Sequence, residues 1–148
     1  MRTPASIAGH PIHPMLVPIA IGGFLISFVF DIICWAKGMT PPNVYNQVAY
    51  YTMLAGIAGA LAAAIFGFVD LMSLQGPVKS TGVKHMLINL TVVVLYIINA
   101  WMRHKNPADL GVPMMLSLIA VLMLVVSGWL GGKMVYEAGV GVNNGKVL

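Results

Sequence analysis

Few side chains in this chain can do acid–base or metal chemistry, so their spacing is informative. His10 and His13 stand three apart in GHPIHPML, and His85 opens HMLINL. Imidazole is a common metal ligand and an axial ligand of haem iron. Asp70 lies in GFVDLMSL, and Tyr136 and Glu137 lie in GWLGGKMVYEAGVGV. If these segments meet, His10, His13, His85 and Asp70 form a set suited to a divalent metal such as zinc or iron(II). His13 and His85 are the better pair for a b-type haem, with Asp70 or Tyr136 as partners for the free ring nitrogens. Pro11 and Pro14 make the first segment extended, which weakens HxxH as a pair on one helix. The single cysteine, Cys34, excludes an internal disulfide and a cysteine metal cage. It lies inside an apolar run and reads as packing. There is no nucleophile motif, phosphate-cradling glycine loop or cofactor fingerprint, so enzyme chemistry has the least support.

Whether these groups meet depends on the elements that carry them. Of 148 residues only twelve are charged and 59% are hydrophobic, with a mean hydropathy of +0.88. Soluble domains carry about a quarter charged residues. A chain this poor in charge cannot cover a water-facing surface, so its solvent is lipid. The net charge of +4 comes from basic residues scattered between apolar runs, the pattern of membrane anchoring and not of nucleic-acid binding.

Four apolar runs, at about 15–36, 48–71, 86–102 and 112–130, read as transmembrane helices. At about 1.5 Å per residue each can cross a hydrocarbon layer of about 30 Å. Backbone groups cannot go unpaired in lipid, and nothing alternates as barrel strands would. The first run is too long for a signal peptide and reads as a retained span. Pro, Gly and small polar residues mark turns at 37–43, 73–84 and 103–111. Such short connections predict an all-α, antiparallel four-helix transmembrane bundle, a single domain with both termini on one side. That side carries Arg2, Lys79, Lys84, Lys133 and Lys146 against Lys37, Arg103 and Lys105 on the other. The excess predicts cytoplasmic termini in the inner (plasma) membrane.

The polar residues inside the spans fall in stripes. His85, Asn89, Val92, Tyr96, Asn99 and Arg103 advance by alternating steps of four and three, as do His13, Val17, Ala20, Phe24, Ser27 and Asp31. Such steps keep each set on one helix face, expected to look into the bundle. Each stripe opens with histidine and closes on a charge, a hint of a duplicated two-helix unit. The predicted topology gathers His10, His13, Asp70, His85, Tyr136 and Glu137 at one membrane face. At the other, Asp31 is expected to pair with Arg103 or Asn99 as a structural contact. Gly59, Ala63 and Gly67 form a small-residue ridge, read first as close helix packing and alternatively as room for a flat ligand such as a porphyrin. The glycines after residue 128 allow close backbone approach or a break in the last helix, and Trp129 and Tyr136 suit the headgroup zone.

GHPIHPML, GFVDLMSL, KHMLINL and GWLGGKMVYEAGVGV, in that order, resemble the DUF2231 family of small bacterial four-helix membrane proteins. The resemblance covers nearly the whole chain and implies His10, His13, Asp70, His85 and Tyr136 as positions matching the family pattern. Relatives often have an acidic residue where Lys133 stands and a histidine where Ala138 stands. Some are joined to a Rieske-type domain, whose CxH and CxxH ligand pairs are absent here. The leading expectation is a scaffold or accessory subunit of a membrane complex, in lipid and self-associating or held by partners. The alternatives are a haem b or electron-transfer protein and a divalent-metal-binding protein.

Overall fold

The computed structural model describes residues 3–142. A two-stranded hairpin of β1 (Ser6–Ile7) and β2 (His10–Pro11) is followed by α1 (Ile12–Ala36), α2 (Val44–Met72), α3 (Gly76–Lys105) and α4 (Gly111–Tyr136). All four helices are long and apolar enough to cross a membrane.

Local chemistry sets the helix ends. Pro14 falls in the first turn of α1, where a missing N–H breaks no helical bond. Gly38, at φ +61°, ends α1, with Met39 N–H donating to the Cys34 carbonyl at 3.0 Å, a left-handed cap. Asn43 opens α2 by accepting from Asn46 N–H at 3.0 Å. The connection from α2 to α3 is tighter than the turn expected at 73–84. Only Ser73, Leu74 and Gln75 lie between the two helices. Residues 76–84 are helical because Gly76 and Pro77 suit a helix start, and the polar residues after them form interfacial turns that hydropathy misses. Likewise α4 runs unbroken through Gly128, Gly131 and Gly132 to Tyr136.

Side-chain contacts fix the directions. Along α1, His13, Ile19 and Gly23 meet Ala63, Gly59 and Gly56 of α2 in reverse order. Along α3, His85 and Asn99 meet Ser127 and Ser117 of α4, again in reverse. Each hairpin is therefore antiparallel. Neighbouring helices follow chain order, so α1 and α3 face each other across the centre. The closest approach is at Gly23 and Gly56, where a Cβ on Gly23 would lie 2.7 Å from the Gly56 Cα. Gly141 packs near Pro11, so the start of α1 and the end of α4 share one end of the bundle.

The two hairpins present like-placed residues to each other at the bundle centre. Residues of α1 and α3 that are 72 apart meet there, as Asp31 and Arg103 do. Phe24 and Tyr96 stack there at 3.9 Å and 1°, and the His13 and His85 rings lie 6.4 Å apart. Around the stacked pair the core closes with Ala20, Met53, Val92, Ala100 and Ala120.

The surface is inverted relative to a water-soluble bundle. Asp31, Asn99, Arg103, Ser117 and Ser127 are buried, while Ile65, Trp101, Leu122, Val125 and Trp129 are exposed. In water this would leave a large apolar surface uncovered. In lipid it is the arrangement of lowest cost, because polar side chains there turn inward.

Candidate functional site

The polar residues of the spans gather at two levels. At the level away from the termini, Arg103 donates from both terminal nitrogens to the two Asp31 oxygens, at 2.7 and 2.6 Å. Its Nε donates to Asn99 Oδ1 at 2.7 Å. Asn99 Nδ2 then donates to the Pro113 carbonyl and Ser117 Oγ, both at 2.8 Å. The network joins α1, α3 and α4. Two-pronged pairing satisfies the carboxylate, and the third guanidinium donor is used as well. Ser27 Oγ and Tyr96 Oη, both buried, have no hydrogen-bond partner among the described residues.

At the level near the termini, His13 Nδ1 lies 2.8 Å from the Ala63 carbonyl of α2. His85 Nδ1 lies 3.0 Å from the Ser127 carbonyl of α4 and 2.9 Å from Ser127 Oγ. A carbonyl only accepts, so both rings carry a proton on Nδ1 and donate it. The lone pair is then on Nε2. In His85 it accepts from Asn89 Nδ2 at 3.1 Å, an amide that also donates to the His85 carbonyl at 2.8 Å. His13 Nε2 has no such partner among the described residues, and position 17, the equivalent of Asn89, is valine. One turn beyond each carbonyl stands a glycine. A Cβ on Gly67 would come 2.8 Å from His13 Nδ1, and one on Gly131 would come 3.3 Å from His85 Cε1. Ala63 and Gly67 precede Ser127 and Gly131 by the same interval, so the device occurs once in each hairpin.

The other residues of the expected cluster lie elsewhere. Asp70 is buried and accepts from Ala5 N–H at 2.9 Å, fastening the N-terminal hairpin to α2. His10 is on β2, exposed, with Nδ1 against the Ala8 carbonyl at 3.1 Å, so it shares no helix with His13. Tyr136 is 90% exposed and bonds to neither ring. Glu137 is exposed and lies 3.7 Å from Lys133. Among the described residues no three His, Cys, Asp or Glu side chains gather as a metal cage, so the four-residue set of His10, His13, His85 and Asp70 does not form. The porphyrin slot is also absent. Along the small-residue ridge a Cβ would meet Phe24 at Gly56, Ile19 at Gly59 and His13 at Gly67. Side chains of α1 already fill that space. Cys34 is buried, donating to the Met39 carbonyl and accepting from Asn43 Nδ2.

Sequence reasoning missed Ser117, the Ala63 and Ser127 carbonyls and Gly131; it read Ser127 only as a buried hydroxyl bonded to backbone and Gly67 only as packing, not as neighbours of the histidines. Only the glycine spacing carried a signal, as a small residue followed four positions later by glycine, at Ala63 and Gly67 and at Ser127 and Gly131, and it recurs at Ala55 and Gly59 and at Gly128 and Gly132.

A model of the family described as predicted membrane protein (DUF2231) matches residues 9–144. No curated protein and no solved structure gives a significant match.

Proposed function

From the premise that this chain belongs to the DUF2231 family of predicted membrane proteins, whose name carries no activity, we propose that it is a membrane-embedded scaffold, an accessory subunit of a larger membrane complex. One observation carries the reading. The strongest polar groups of the spans, Asp31 and Arg103, are 0% and 4% exposed and are hydrogen-bonded to each other, Arg103 also to Asn99. Intramembrane charges that serve a pathway line a water-filled cavity or move between partners. These two are sealed between three helices and hold them in register.

The wide apolar exterior suits this role, since it offers helix faces to lipid and to neighbouring spans alike. We place the chain in the inner membrane with cytoplasmic termini. Basic residues favour that side, and Arg103, engaged by Asp31, drops out of the opposing count. The filled ridge of α2 argues against the haem reading.

The test is native electrophoresis of membranes solubilised in mild detergent, with the chain tagged at its native expression level. The expected result is a discrete assembly of fixed composition containing the chain. Migration as the isolated chain, or a Soret band in the purified protein, would refute the scaffold reading.

A further inference from the structure

We propose that His13 and His85 form a two-imidazole site for a divalent transition-metal cation, at the end of the bundle that carries the termini. This goes beyond the scaffold reading and does not depend on it.

The first support is orientation. A histidine that ligates a metal almost always donates its other ring N–H to a carbonyl or carboxylate, which fixes the tautomer and makes the free nitrogen a better donor. Both rings do this here, His13 to Ala63 and His85 to Ser127, each across to the other helix of its own hairpin. Both are left with a lone pair on Nε2.

The second support is spacing. The ring centroids are 6.4 Å apart and the planes cross at 87°. Metal–nitrogen bonds of about 2.0–2.1 Å, added to the reach of each ring, let two imidazoles share one ion up to about this centroid separation, so the pair stands at the outer limit of that range.

The third support is reserved space. Gly67 and Gly131 occupy equivalent places beside the two rings, and a methyl at either would press on the imidazole. The chain keeps room for each ring and fills it with the ring itself.

The halves also differ in a useful way. His13 Nε2 is without a partner among the described residues, whereas His85 Nε2 accepts the longer of two contacts from the Asn89 amide. A cation would displace only that longer contact, and the amide keeps its 2.8 Å bond to the backbone. Imidazole nitrogens favour zinc, copper and nickel over magnesium or calcium. Two protein ligands leave positions for water or an incoming group, so the site is of the open kind and not a closed structural cage.

The experiment uses the full chain in detergent, stripped with chelator and then given Zn²⁺. Equilibrium dialysis is expected to give one ion per chain. His13→Gln and His85→Gln should each weaken binding at least about tenfold, while His10→Gln leaves it unchanged. Asn89→Leu should tighten it. Should the glutamine variants fail to fold, ¹⁵N-histidine NMR of the unaltered chain decides. Zn²⁺ is expected to shift the Nε2 resonances of His13 and His85 and to spare those of His10 and His104. Zn²⁺ binding that survives both glutamine substitutions, or shifts confined to His10 and His104, would overturn the proposal.

Discussion

The two polar levels of the bundle solve the same problem in different ways. Both bring together residues of α1 and α3 that stand 72 positions apart. At the far level the pair is a carboxylate and a guanidinium, which complement each other, and Asn99 and Ser117 complete the set. At the near level the pair is two imidazoles, which do not complement each other once each donates its Nδ1–H to a carbonyl. The first level is closed chemically and the second keeps lone-pair capacity. Asp31 and Arg103 lock one end of the bundle, while histidine at both of the corresponding positions leaves the other end with two imidazoles that pair instead with backbone carbonyls.

Substitution at the far level should break the comparison most severely. Arg103→Met leaves Asp31 buried without a partner, and removal of one member of a buried pair costs about 3–5 kcal/mol. We expect a large fall in the thermal midpoint in detergent, or loss of folded protein. Adding Asp31→Leu to Arg103→Met should recover most of that loss, because apolar pairs of similar volume often replace buried ion pairs without penalty. A double variant no better than the single would show that the network does more than close its own charges.

The near level should respond less. Gly67→Ala overpacks His13 and should cost about 1–3 kcal/mol, read as a lowered midpoint. Gly131→Ala should cost less than Gly67→Ala, because its new methyl meets His85 at 3.3 Å and not 2.8 Å. Equal losses would mean that the rings are not what fills the glycine spaces. The smallest effect is expected between the levels. Tyr96→Phe removes a hydroxyl that has no partner among the described residues and keeps the stacked ring against Phe24. Its stability should change by less than about 0.5 kcal/mol. A larger loss would place a hydrogen bond on that hydroxyl and extend the far network inward.

Composition and periodicity determined the membrane bundle and the stripes by themselves. Charge-poor runs of this length have one solvent and one backbone solution in it, and steps of three and four put His13 with Asp31, and His85 with Arg103, on single faces. The turn at 73–84 was misread because hydropathy marks where lipid begins, not where the helix begins, and Lys79 and Lys84 sit on interfacial helical turns. The tertiary structure alone decided which polar residues share a level. Sequence placed six at one membrane face, but a face is wide and hydrogen bonds are short. Asp70 found the Ala5 N–H, His10 stayed on the hairpin, and Tyr136 turned outward. The carbonyls that orient the histidines belong to Ala63 and Ser127, and a backbone acceptor leaves no mark on residue type, so only packing could reveal it.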